Sequence, residues 1–184
     1  MNSAPWLLVI DPQVIFADPG SDWASPMWGA TEPNILSLIE AFGQRTIITR
    51  WIPPQDPTGS WREYMAAWPF ADVPPTDEKL DLLPPFVDAP GHRIDEPTFG
   101  KWGANLRAIT GETPHLVVAG VSTDCCVLST VIPAADAGAY LTVISDACAG
   151  SSEDNHRAAL HCMDLYPPQV TLQGTAEILK TMGQ

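Results

Sequence analysis

Residues 115–130 read "HLVVAGVSTDCCVLST", and this stretch decides the fold. Its first part, "HLVVAG", is an apolar run without polar alternation, the mark of a strand covered on both faces. Its second part leads through two adjacent cysteines into a helix expected over 124–138. Pro133 is expected to kink that helix or to mark an irregular turn. A strand that hands over directly to a helix is half of a parallel crossover unit.

The same alternation extends outward in both directions. Upstream, "PWLLVID" is a buried strand with Asp11 at its carboxyl end, and "NILSLIEAFGQ" has helical spacing. "RTIITRW" is a second strand and "HRIDEP" a short third one, followed by a helix over "KWGANLRAIT". Downstream come strand "YLTVISDA", helix "SSEDNHRAALHCMDLY" with a serine cap and acids in its first turn, strand "QVTLQ" and helix "TAEILKTM". Residues 12–33 read as a turn-rich loop. Residues 52–90 are proline-rich and irregular, with one short helix near "SWREYMAAW"; long loops of this kind usually serve as lids or binding loops.

These elements predict an α/β fold: a three-layer α-β-α arrangement around a six-stranded, mostly parallel sheet in the order 3-2-1-4-5-6. The chain, 1–184, reads as a single domain without repeats or linkers. In such sheets ligands bind beyond the carboxyl ends of the strands, at the point where the order reverses. Strands one and four are neighbours there, so Asp11 and the cysteine pair are expected to face one crevice.

The composition narrows the partners. Acidic residues outnumber basic ones 22 to 9, a net charge of −13, which disfavours nucleic acid and anionic membranes. No apolar run is long enough to span a bilayer, and the N-terminal stretch reads as a strand rather than a signal peptide. The four cysteines lack zinc-site spacing and do not suggest a secreted disulfide framework, so a reducing, cytoplasmic setting is expected.

A thiol at a helix N-terminus lies near unpaired N–H groups and the positive end of the helix dipole, which favour the reactive thiolate. The same N–H groups can hold an oxyanion, and a carboxylate such as Asp11 can carry the proton from thiol to leaving group. Adjacent helical residues point in different directions, so only one of Cys125 and Cys126 is expected to face the crevice; spacing does not say which. Two buried structural cysteines fit the pattern as well.

The motifs "LLVIDPQVIFAD" and "VVAGVSTDCCVLST", with "AADAGAYLTVISDACAGSS" and "HRAALHCM" behind them, resemble those of the isochorismatase-like cysteine hydrolase superfamily. That superfamily includes nicotinamidases and N-carbamoylsarcosine amidohydrolase, and the resemblance runs nearly end to end. It implies that Asp11 is a catalytic acid and that Cys126, just before "VL", is the nucleophile. It also implies a cis Val121–Ser122 peptide and an oxyanion hole formed by the Ser122 and Cys126 N–H groups.

The third catalytic member departs from the pattern. The family pairs Asp and Cys with a lysine, but aligning "DEPTFGKWGANL" by its ends puts Glu96 in that slot, with Lys101 five residues on. Either Lys101 reaches the crevice and serves as the cation, or Glu96 occupies the slot and the site holds two acids beside the thiol. The second arrangement would raise the thiol pKa. Nicotinamidases carry an Asp-x-His metal cluster after strand two; here "TRWIPPQDP" has no histidine, so neither metal nor other cofactor is expected.

Trp23, Trp28, Trp51, Trp61, Trp68 and Trp102 lie in or beside the crevice-facing loops, which suggests an apolar, flat-walled pocket. Phe16 and Trp51 are the best lining residues. Arg50 is either an anchor for a substrate carboxylate or half of a structural ion pair. Together these readings predict a metal-independent, cofactor-free hydrolase of small amides or carbamoyl compounds, acting through a Cys126 thioester. The rivals are isochorismatase-type vinyl-ether hydrolysis and an altered family member that only binds a ligand. Relatives commonly form homodimers or homotetramers, which the resemblance extends to this chain.

Overall fold

The computed structural model describes residues 4–183. Its strands are β1 (Trp6–Ile10), β2 (Thr46–Trp51), β3 (His92–Glu96), β4 (His115–Val121), β5 (Tyr140–Ala149) and β6 (Val170–Gln173). They form one sheet in the order β3-β2-β1-β4-β5-β6, and every pairing is parallel. The chain therefore has the α/β, three-layer architecture and the strand order that its sequence predicts.

The period-2 geometry of the strands divides the core between the two faces of the sheet. Leu7, Val9 and Ile48 pack on one face, against α2 (Trp28–Phe42) and α8 (Thr175–Met182). Leu8, Ile10 and Ile47 pack on the other, against α5 (Ala104–Thr110), α6 (Leu128–Asp136) and α7 (Glu153–Met163). Leu7, Leu8, Val9 and Ile10 are all fully buried, as expected for a strand covered on both sides. Burial of each such side chain stabilises the fold by about 1.5–3 kcal/mol.

Several boundaries differ from the sequence reading. The 12–33 stretch is not all loop: α1 (Val14–Ala17) follows β1, and α2 begins at Trp28 and runs through Pro33. Pro33 denies the Gly29 carbonyl its helical donor, but both residues are exposed, so water can satisfy that carbonyl. The helix read over 101–110 begins only at Ala104. Lys101 and Trp102 therefore belong to the loop that leaves β3.

The segment after β4 does not enter an α-helix directly. Thr123–Val127 form a π-helical turn, in which the Val127 N–H donates to the Ser122 carbonyl five residues back at 3.1 Å. Helix α6 follows, and Pro133 lies within it. Pro133 removes the i+4 donor of the Ser129 carbonyl. The loop before Lys101 closes on that same carbonyl at Gly100, where a Cβ atom would come within 2.5 Å of the Ser129 oxygen.

Candidate active site

The crevice lies beyond the carboxyl ends of β1 and β4, which are paired through Ile10 and Gly120. Gly120 has φ +117°, and a Cβ there would lie 2.1 Å from the Ile10 carbonyl oxygen. Only glycine lets β4 run this close to the residue preceding Asp11.

Asp11 is fully buried and has φ +50°, a left-handed conformation that is strained for a residue with a side chain. Its surroundings hold it there. The Asp11 N–H donates to Thr49 Oγ1 at 3.2 Å, and the Thr49 hydroxyl donates to Asp11 Oδ1 at 2.7 Å. The Gln13 N–H donates to the Asp11 carbonyl at 2.8 Å. The buried Gln13 side chain in turn accepts from the Trp51 N–H and donates to the Trp51 and Leu80 carbonyls. Gln13 thereby ties the end of β1 to the end of β2 and to the proline-rich excursion.

Lys101 is also fully buried, and its Nζ lies 3.0 Å from Asp11 Oδ2. The ammonium donates to the Thr98 carbonyl at 2.9 Å. Despite the ion pair, Asp11 Oδ2 accepts no aligned hydrogen bond among the described residues. With the ammonium on one side, this oxygen keeps a second lone pair for a proton in transit.

Cys126 is 3% exposed and Cys125 half-buried, and both line the cavity of the crevice, where helical spacing leads one to expect only one, because the pair sits in the π turn rather than in an α-helix. The Cys126 thiol is held well above the ordinary range by its hydrogen bond with Cys125, then by burial, then by the Asp11 carboxylate; Lys101 acts in the opposite sense. At neutral pH Cys126 is therefore a thiol that needs a base rather than a standing thiolate, which differs from the helix-dipole expectation. The Cys125 hydrogen bond first, then burial and the Asp11 carboxylate, all favour the protonated form.

Thr130 joins two of these elements. Its hydroxyl donates to the Cys126 carbonyl at 2.7 Å and accepts from the Lys101 N–H at 2.9 Å. On the other side, Thr123 Oγ1 and His156 Nδ1 share a 2.8 Å hydrogen bond that fixes the π turn to α7. Burial lowers the His156 pKa, which favours the neutral ring. Asp124 accepts from the Ser151 N–H at 2.8 Å and from the Ser151 hydroxyl at 2.7 Å. The peptide between Val121 and Ser122 is cis, and Ser122 lines the cavity beside Cys126.

Two sequence expectations need correction. Glu96 does not join the site: its carboxylate accepts from Asn105 Nδ2 at 2.9 Å and faces Gly103, toward α5. The loop after Glu96 turns Lys101, not Glu96, onto Asp11. Arg50 does not reach the cavity either. It forms a two-pronged pair with Asp95, at 2.8 and 2.7 Å, and lines a separate shallow depression with Asp81 and Arg93. Arg50 and Asp95 are register partners across β2 and β3, so the pairing follows from the sheet itself.

The cavity has a volume of about 310 Å³. Its wall is aromatic: Phe16, Trp23, Trp51, Tyr64, Trp68 and Phe99. Trp23 is the hub, with ring centroids 5.4 Å from Trp51, 5.5 Å from Trp68 and 6.0 Å from Phe16. Trp61 stands behind it against Phe99, whereas Trp28 packs in the core on Phe86 and Trp102 on the opposite side of the sheet. The buried Trp51 indole N–H has no acceptor among the described residues. Burial, then Cys125 and Cys126, push the Tyr64 phenol up to about 12. Among the described residues no group of three or more His, Cys, Asp or Glu side chains could hold a metal ion, and no helix is long and apolar enough to cross a membrane.

Sequence reasoning missed Gln13, Thr49 and Thr130. The only available signal was their place in or beside the two motifs and at a strand end.

Comparison with protein families finds a match to the isochorismatase domain over residues 5–177. Among solved structures, a cysteine hydrolase from Pseudomonas syringae pv. phaseolicola 1448A superposes with a TM-score of 0.81 at 19% identity, covering 97% of this chain and 92% of that one. An isochorismatase family protein from Desulfovibrio vulgaris subsp. vulgaris str. Hildenborough gives 0.81 at 16% identity, with both chains covered completely (100%). A pyrazinamidase/nicotinamidase from Streptococcus mutans UA159 gives 0.72 at 20% identity, covering 91% of this chain and 100% of that one. At these identities the likeness establishes the fold alone. No curated protein sequence matches the chain.

Proposed function

The chain belongs to the isochorismatase family, and on that premise we propose that it is a cysteine hydrolase that cleaves the C–N bond of a small amide or carbamoyl compound. The observation that carries this reading is the meeting of Asp11, Lys101 and Cys126 at the switch point of the sheet, with Asp11 Oδ2 ion-paired yet open as a proton acceptor.

The reaction follows from these groups. Cys126 Sγ attacks the substrate carbonyl carbon, and its proton passes to Asp11 Oδ2 as the C–S bond forms. The Ser122 and Cys126 N–H groups hold the oxyanion of the tetrahedral intermediate. Asp11 then gives the proton to the substrate nitrogen, the C–N bond breaks, and ammonia or an amine leaves. A water molecule attacks the thioester, with Asp11 taking one of its protons, and the C–S bond breaks. The carboxylic or carbamic acid departs, and the proton returns from Asp11 to Cys126. Lys101 holds the Asp11 carboxylate in place and offsets its charge beside the thiol. No step in this scheme calls on a metal or other cofactor. The free state of all four cysteines fits a reducing, cytoplasmic setting.

Ammonia release from a panel of small primary amides and carbamoyl compounds tests the proposal, with wild type and Cys126→Ala run side by side. Release that vanishes in the variant supports it. Release that persists undiminished in Cys126→Ala would overturn the thioester route and favour acid–lysine chemistry such as vinyl-ether hydrolysis.

A further inference from the structure

We propose that the substrate is cationic: the amide or carbamoyl group is attached to a small ammonium or quaternary ammonium group that seats against Trp23, Trp51 and Trp68. The inference rests on the amide reading for where the chemistry occurs, but its evidence is the cavity itself. Among the described residues the only charged side chains that line the cavity are Asp22 and Asp124, with no lysine, arginine or histidine. Lys101 is fully buried and occupied by Asp11. Arg50, the cation that could have received a substrate carboxylate, is held by Asp95 outside the cavity.

An anionic ligand would thus share the cavity with two carboxylates and no lining counter-charge. A cationic one meets their field, and Asp124 is fixed for this by its two hydrogen bonds from Ser151. Aromatic faces attract ammonium groups through the ring quadrupole, most strongly in tryptophan, and they do so best when the cation is desolvated. The net charge of −13 adds a long-range pull of the same sign. The cavity volume of about 310 Å³ suits a compact ligand.

A matched trio of amides tests this: trimethylammonioacetamide, its neutral isostere 3,3-dimethylbutanamide, and anionic succinamate. Dissociation constants are measured by calorimetry and ammonia release in parallel, for wild type and Asp22→Asn, with circular dichroism confirming the fold. The cationic amide is expected to bind about tenfold more tightly than its isostere, and succinamate most weakly. The cationic advantage should shrink several-fold in Asp22→Asn and on adding salt. Equal or tighter binding of the neutral isostere, or no binding of the cationic amide at tens of millimolar, overturns the inference. Cation preference without ammonia release upholds it and counts against the amide reading. Ammonia release without cation preference does the reverse.

Discussion

The floor and the wall of the crevice are built from different materials. The floor consists of buried polar groups on β2, on the loops and turns that follow strands, and on the start of α6: Asp11, Thr49, Lys101, Cys126 and Thr130, each tied by hydrogen bonds or an ion pair. The wall consists of aromatic side chains from α1, from the end of β2, from α3 (Ser60–Ala67) and from loops, whose rings pack on one another around Trp23. Hydrogen bonds fix atoms within tenths of an ångström, whereas ring packing fixes a surface and tolerates small shifts. The floor therefore sets which bond is broken, and the wall sets which molecule is admitted. A floor substitution should affect every substrate alike; a wall substitution should reorder substrates.

The sharpest break is Cys126→Ala, expected to lower ammonia release more than about a thousandfold on all substrates while the protein stays folded. A substrate that escaped this loss would separate the floor from the chemistry. Lys101→Met comes next. It leaves the Asp11 carboxylate buried without its partner, which should cost about 3–5 kcal/mol of stability and abolish turnover. Urea unfolding and ammonia assays measure the two effects together.

Thr130→Val keeps the volume but removes the hydroxyl shared by Lys101 and Cys126, at a cost of about 1–3 kcal/mol. It should lower kcat with little change in KM. An unchanged kcat would reduce Thr130 to a packing residue. Burial lowers the pKa of both His115 and His156. The unfolded chain therefore binds more protons as pH falls below about 6.5, and stability should decline there. Denaturant midpoints between pH 7.5 and 5.5 test the sign. The smallest effect is expected from Trp68→Leu, at the exposed rim of the wall. It should shift the KM ratio of two substrates a few-fold and leave kcat and stability nearly unchanged.

The two regions also differed in how legible they were. The sheet order followed from apolar runs separated by helical segments. Asp11 and the cysteine pair are readable because each follows a strand within a recognisable motif, and the family resemblance alone selects Cys126. Lys101 and Glu96 could not be told apart from sequence, because the answer depends on how the backbone turns between residues 97 and 103. That path is set by Gly100 closing on the Ser129 carbonyl and by Gly103 opening α5, and neither is a periodic signal. The Arg50–Asp95 pair required the register of β2 on β3. Gln13, Thr49 and Thr130 escaped notice because their partners are largely main-chain groups or a buried acid, which spacing does not display. On the wall, the tryptophans were identified as a group, but only the fold separates Trp23, Trp51 and Trp68 from Trp28 and Trp102.

Thr130 accepts from the Lys101 main chain and donates to the Cys126 main chain through one oxygen. Two segments that share a single atom as their hinge pin move in phase. Thermal displacement of the π turn carries the lysine loop with it, so the spread of the distance between nucleophile and cation is narrower than the spread of either position alone. The consequence is one of tolerance: the crevice can breathe to admit and release small molecules while the reacting groups keep their spacing.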